Sequence, residues 1–124
     1  MSRNCPCGRS RPLDACCGPV LDGRPAGTAE DLMRSRYTAF VLGDTAHLLA
    51  SWHPSTRPPR LRLEPGSVWT GLEILDRAGG AMFDREGVVE FRAHRTDGEL
   101  HERSRFVRDE GRWFYVDGDV APTR

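Results

Sequence analysis

Lysine is missing altogether: every one of the 18 basic side chains in this 124-residue chain is an arginine. No side-chain amine is therefore available for Schiff-base chemistry. An excess of either charge is missing too, since the 18 arginines meet 18 Asp and Glu for a formal net charge of +0. That balance argues against a generally basic nucleic-acid binder and against an acidic solvating tail. No stretch approaches the roughly 18 consecutive apolar residues of a membrane span. The opening Met1-Ser2-Arg3-Asn4-Cys5 lacks an apolar signal region. These absences predict a cytoplasmic protein with no membrane contact. Internal repeats and low-complexity segments are lacking as well. What remains is 38% hydrophobic residues, enough for one small core, with specific chemistry to be sought in the 4 cysteines and in whatever the fold encloses.

The composition changes near residue 27. Residues 1–27 hold all 4 cysteines, but Leu13, Val20 and Leu21 are almost their whole supply of large apolar side chains. Ordering a backbone costs roughly 1–2 kcal/mol per residue, so this segment needs a staple other than burial. Gly23-Arg24-Pro25-Ala26-Gly27 reads as a linker or turn. A domain spanning 28–124 follows. Thr28 is a helix N-cap, Asp31 stands at the capping-box position, and Glu30 and Asp31 suit the positive end of the helix dipole. Leu32, Met33, Arg36, Tyr37, Phe40 and Val41 recur at helical spacing and mark one face. Gly43 ends this helix, Asp44 caps a second one running to Trp52, and Pro54 limits its continuation. Ser55 to Pro65 is an extended connection.

Strand patterns occupy the rest. Val68 to Asp76 is rich in β-formers and precedes Gly79-Gly80. In Val88–Arg95, Val89, Phe91 and Ala93 alternate with Glu90, Arg92 and His94, and Asp97-Gly98 signals a hairpin. Leu100 to Arg108 returns, Glu110-Gly111 turns again, and Arg112 to Asp117 closes the series. Two helices followed by an antiparallel meander make an α+β fold, with the helices packed on one face of a curled sheet. Glu90, Arg92, Arg103 and Arg105 fit cross-strand charge pairs on its other face.

The strongest chemical signal is Cys5-Pro6-Cys7-Gly8 followed by Cys16-Cys17-Gly18. Two close pairs on tight turns deliver four thiolates to a tetrahedral ion, and Zn²⁺ suits such soft ligands. A closed four-ligand site leaves no position for water or substrate, so one zinc here would be structural. Its formal charge of about −2 could be offset by Arg3, Arg9 and Arg11. Disulfides, a redox pair and an iron–sulfur cluster are the competing readings. Lack of an export signal weighs against the first, lack of a Cys-x-x-Cys spacing against the second, and adjacency of Cys16 and Cys17 against the third.

The cysteine spacing resembles the SEC-C motif, the short zinc-binding segment also found at the C-terminus of the bacterial preprotein-translocase ATPase. It departs from the usual Gly-Ser-Gly-Lys stretch in having Gly8-Arg9-Ser10-Arg11. Three further strings resemble the YchJ-like family of small bacterial proteins: Leu32-Met33-Arg34-Ser35-Arg36-Tyr37, Trp52-His53-Pro54-Ser55-Thr56-Arg57-Pro58 and Ser104-Arg105-Phe106-Val107. The resemblance implies a SEC-C segment on a domain similar to nuclear transport factor 2 (cystatin-like), in which helices and a curved sheet enclose a cavity. It implies a fold and a metal segment, not a reaction.

Such a cavity would be lined from Tyr37, Trp52, His53, Trp69, Glu102, Ser104, Trp113 and Tyr115. Aromatic walls with a few converging polar groups are the usual form of a ligand site. A Glu–His pair inside could transfer protons, which would make the protein a dehydratase, isomerase or hydrolase acting on a small organic molecule. Against this stands the ordinary use of strand Trp and Tyr as core, and the lack of a Ser–His–Asp order or an HExxH string. The competing class is a non-catalytic adapter or small-ligand binder. The similar translocase segment contacts an export chaperone and the ribosome, so the resemblance points to a protein partner for the zinc knuckle. Residues 1–27 carry 4 arginines against 2 aspartates, too small an excess for the roughly 6–10 phosphate contacts of nonspecific nucleic-acid binding. A homodimer through the open sheet face is compatible with the fold.

Overall fold

In the computed structural model, residues 4–63 and 68–120 are described; Arg3 and Pro65 lie outside them. The chain begins with a knuckle: Asn4 bridges Pro12, a 3₁₀ turn covers Leu13–Ala15, and a single-turn helix α1 spans Gly18–Leu21. Neither turn was expected from the sequence, which has too few residues there for a periodic signal. Helix α2 (Ala29–Leu42) and helix α3 (Thr45–Ala50) follow, then strands β1 (Trp69–Gly79), β2 (Glu86–Arg95), β3 (Gly98–Asp109) and β4 (Arg112–Val120).

Local chemistry explains the boundaries. The Thr28 hydroxyl accepts from the Asp31 N–H at 3.0 Å, Gly43 closes α2 in the left-handed region (φ 75°), and Asp44 accepts from the His47 N–H at 3.0 Å to start α3. Helix α3 stops at Ala50, two residues short of expectation, because Trp52 pairs with Tyr115 and the His53 N–H donates to the Tyr115 carbonyl at 2.7 Å.

The sheet is the expected antiparallel meander, β1-β2-β3-β4. Register shifts at Trp69/Gly71 and Ile74/Asp76 in β1, and at Arg105/Phe106 between β3 and β4, bend it. Val89, Phe91 and Ala93 are buried against Leu32, Met33 and Tyr37 of α2, with Phe106 and Trp113 completing the core. Val41, expected on the apolar face of α2, is instead 37% exposed near the helix end. On the other face of the sheet, Glu90 takes Arg103 at 3.0 Å and His101 at 2.7 Å, and Arg105 takes Asp119 at 2.8 Å.

Helix and sheet meet most closely at a pair of glycines. The Ala29 N–H donates to the Gly80 carbonyl at 3.0 Å. A Cβ on Gly87 would stand 2.5 Å from the Gly80 Cα and 3.1 Å from the Ala29 Cβ. The start of α2 is thereby seated on the β1–β2 turn, which fixes the angle at which the helix crosses the cavity.

Candidate metal centre and cavity

The knuckle brings its four cysteines together as expected. The Sγ atoms of Cys5, Cys7, Cys16 and Cys17 all lie within 4.8 Å of one another, with Cys7 and Cys16 at 3.6 Å. None is joined in a disulfide. Zn–S bonds near 2.3 Å would place tetrahedral sulfurs about 3.8 Å apart, so the donor set and its spacing fit a tetracoordinate metal ion. Cys7 is fully buried, Cys5 and Cys17 nearly so, and Cys16 is half-buried; four sulfurs would fill a tetrahedral shell.

The thiols already share charge. Hydrogen bonding from Cys17, opposed by burial, draws Cys7 down to about 4. Cys17 is pushed well up because its proton is held toward Cys7 and because it is buried, and burial with the nearby Cys7 charge raises Cys16 to about 11.

The centre is tied to α2. The Thr38 hydroxyl, fully buried, lies 3.6 Å from the Cys5 sulfur. Arg34 Nη1 donates to the Cys7 carbonyl at 2.7 Å. Arg9, expected to offset thiolate charge, turns away: Nη2 reaches Glu30 at 3.2 Å and Nη1 reaches Asp31 at 2.6 Å. Two carboxylates in the first turn of α2 outcompete the sulfurs for its guanidinium. Thr38 was not foreseen, because nothing in the sequence says which side of α2 the knuckle covers.

Between α2 and the concave side of the sheet lies a cavity of about 410 Å³. Tyr37, Trp52, Trp69, Glu102, Ser104 and Tyr115 line it. His53 and Trp113 do not. On the extended stretch after α3, adjacent side chains point to opposite sides: Trp52 faces inward, packed edge-on to Tyr115 at 5.0 Å. His53 faces outward and meets Asp109 at 3.2 Å and Ser55 at 2.7 Å. Trp113 shares the Tyr115 face of β4 but sits nearer the strand's start, within the core and beside a smaller cavity of about 170 Å³. The Glu–His pair required for proton transfer is therefore not assembled, and among the described residues no histidine lines the larger cavity.

Glu102 is held by Ser104, whose hydroxyl donates to Oε2, and by the Tyr115 hydroxyl at 3.3 Å from the same oxygen. Gly118, opposite Ser104 in the register, makes room for this: a Cβ there would overlap the Glu102 carboxylate. Burial and the Glu102 charge push Tyr115 up to about 12, so its hydroxyl stays protonated.

Arg36 was missed as a cavity residue. Its guanidinium carbon stands 4.5 Å over the Tyr115 ring and 5.3 Å from the Trp52 ring. Nη1 donates to the Leu48 carbonyl at 2.8 Å and the Ser51 hydroxyl at 2.7 Å. Burial lowers Arg36 to about 10, partly offset by Tyr115 and Glu102, and it remains a cation at neutral pH. An arginine on the apolar face of a helix was the available signal.

The comparisons with known proteins agree with this architecture. The profile described as YchJ, middle NTF2-like domain, matches residues 28–118. A UPF0225 protein of Streptomyces coelicolor is 59% identical over 116 residues, covering 93% of this chain and 94% of its own. The chain belongs to the YchJ-like UPF0225 family. A UPF0225 protein of Chromobacterium violaceum is 51% identical over 126 residues, covering 94% of this chain and 93% of its own. The solution structure of a SEC-C motif containing protein from Rhodopseudomonas palustris superposes with a TM-score of 0.79 at 32% identity, covering 97% of this chain and 100% of that one. A crystal structure of a SEC-C motif containing protein from Psychrobacter arcticus gives 0.74 at 30% identity, covering 98% and 85%. Family membership thus accounts for both the NTF2-like domain and the cysteine segment before it.

Proposed function

We propose that this UPF0225 protein is a small-ligand receptor whose N-terminal knuckle is stapled by one structural zinc ion. The observation that carries the receptor reading is the cavity of about 410 Å³, in which Tyr37, Trp52, Trp69 and Tyr115 surround the converging polar groups of Glu102, Ser104 and Arg36. Its size and mixture of aromatic wall and few polar groups suit a small organic molecule. Four soft sulfur donors at tetrahedral spacing favour zinc, and the closed centre gives that ion a structural role. Cys5, Cys7, Cys16 and Cys17 would hold it, joining a segment otherwise short of apolar contacts.

The adapter reading, with a protein partner on the knuckle, is less well supported. Arg9, the side chain best placed to present charge to a partner, is engaged by Glu30 and Asp31.

Native mass spectrometry of protein purified without added metal or chelator, compared with the denatured chain, tests both parts. The expected result is a mass excess of one zinc together with a small organic adduct. Zinc with no adduct under any purification condition, and no thermal shift from a broad panel of organic molecules, would remove the receptor reading. A mass four hydrogens below the reduced chain would remove the zinc.

A further inference from the structure

The charges around the cavity are unequal, and this bears on what it can hold. Among the described residues, Arg36, Arg62 and Arg95 line it against a single carboxylate, Glu102. Arg36 is only 5% exposed and makes no ion pair among the described residues. Its hydrogen bonds, to the Leu48 carbonyl and the Ser51 hydroxyl, both use Nη1. Among the described residues Nε and Nη2 have no hydrogen-bond partner, and neither atom is fully buried. Their remaining access is to the cavity that Arg36 lines. Arg95 adds a second cation at the wall: its Nε makes no hydrogen bond and stands 3.8 Å from Asp97, and its guanidinium lies 5.1 Å over the Trp69 ring. Burying a cation without a counter-charge is costly, and leaving its donors unmade adds to that cost. Both costs fall if an anion enters.

Glu102 offsets the Arg36 charge only at a distance and makes no ion pair with it. Its carboxylate is drawn aside over Gly118 by Ser104 and Tyr115, leaving the face of Tyr115 to Arg36. Beyond this polar floor, Tyr37 and Phe40 close on Trp69, with ring centroids at 6.1 and 5.8 Å. The rings are inclined to Trp69 by 76° and 51°, so that wall is aromatic and angled.

We propose that the cavity binds an organic acid as its anion, with the acidic group on the free edge of the Arg36 guanidinium and an apolar body against Tyr37, Phe40 and Trp69. A planar guanidinium fork suits a carboxylate, and a desolvated one binds it more strongly than a surface arginine does. This rests on the receptor reading above, and the test separates the two.

Two fluorescent probes of nearly the same shape serve: 1-anilinonaphthalene-8-sulfonate, an anion, and N-phenyl-1-naphthylamine, which lacks the sulfonate. Titrated into the full zinc-loaded chain, the anion is expected to bind about ten- to hundredfold more tightly, the range of a charge-assisted hydrogen bond. Arg36→Met should remove that preference while the neutral probe still binds. Should that variant fail to fold, Glu102→Gln provides the opposite test: removing this carboxylate should tighten the anion by a larger factor than the neutral probe. Leu100→Trp, which fills the cavity, should expel both. Equal affinities, or a preference for the neutral probe, would overturn the anion inference and leave a receptor for uncharged molecules. Binding of neither probe, or binding undisturbed by Leu100→Trp, would overturn both.

Discussion

Arg9 of the cysteine knuckle bonds to Glu30 of α2, Nη2 to Oε2 at 3.2 Å, and the same carboxylate oxygen takes Arg34 Nε at 2.7 Å. The other oxygen takes Arg77 of β1 at 2.6 Å. One side chain thus links knuckle, helix and sheet. Reversing the charge at Arg9 should consequently loosen the knuckle. Arg9→Glu faces Glu30 and Asp31 with a like charge and should cost about 1–2 kcal/mol. Thermal denaturation and zinc retention against a chromophoric chelator would both report it. Unchanged values in both would mean that the Arg9 contacts add nothing to the hold that Thr38 and Arg34 have on the knuckle.

The same carboxylate predicts a pH dependence. Burial opposes ionisation of Glu30, but Arg34, Arg9 and Arg77 outweigh it and hold the group below its ordinary value of 4.5. A depressed carboxyl stabilises the fold fully above its unfolded value, and that contribution is withdrawn as pH falls through the folded one. Denaturant midpoints measured between about pH 3 and 6 should therefore fall on the acid side. In Glu30→Gln this limb should be shallower, while loss of metal by cysteine protonation is common to both proteins. Parallel acid limbs would show that Glu30 contributes nothing to the slope.

Metal removal should act locally. Residues 1–27 have few apolar side chains of their own, whereas the core from α2 to β4 includes Leu32, Phe91, Phe106 and Trp113. Stripping zinc with a chelator, or replacing Cys7 by Ser, should collapse the amide dispersion of residues 4–27 and leave that of the strands. A knuckle that kept its dispersion without metal would refute the staple. Cooperative loss of the whole spectrum would mean that the domain depends on it.

A fourth prediction concerns the seat of α2. Gly87→Ala puts a methyl group 2.5 Å from the Gly80 Cα, a backbone atom with no freedom to turn aside. The strand or the helix must shift, at a cost of about 2–3 kcal/mol by analogy with core overpacking. Gly118→Ala meets only the flexible end of Glu102. It should leave denaturant stability within about 1 kcal/mol while changing probe affinity in the cavity. If Gly87→Ala is as mild as Gly118→Ala, the close approach of α2 to the β1–β2 turn is not a constraint.

The parts legible in the sequence were those fixed by short-range chemistry. Thr28, Gly43 and Asp44 mark helix ends through their own hydrogen bonds and backbone angles, and Val89, Phe91 and Ala93 alternate because one face of β2 is buried. Paired cysteines on glycine-bearing turns carry their chemistry within 13 residues, from Cys5 to Cys17. The cavity was less legible because its lining depends on position along an element as well as on face. Trp113 and Tyr115 have the same alternation, yet one is core and the other lines the pocket. His53 and Trp52 are neighbours, yet a single residue of extended chain sends them to opposite sides. Arg36 was visible on the helical face but had no assignable partner until α3 and β4 were placed beside it.

Thr38 offers the most specific test of how the helix serves the knuckle. Its hydroxyl approaches the Cys5 sulfur at 3.6 Å and bears on the Cys17 thiol as well. With a cation bound and the sulfurs ionised, this hydroxyl becomes a donor to thiolate, and such outer hydrogen bonds typically change metal affinity by about ten- to hundredfold. Valine keeps the branched shape and the volume while removing the donor. Thr38→Val should therefore lower zinc affinity by about tenfold in a chelator competition. The thermal midpoint of the metal-free domain should stay within a few degrees, because the packing of α2 is retained. An unchanged affinity would mean that the helix supports the cysteines only through packing and Arg34. A loss of metal-free stability as large as the loss of affinity would show that the hydroxyl serves α2 and not the metal centre.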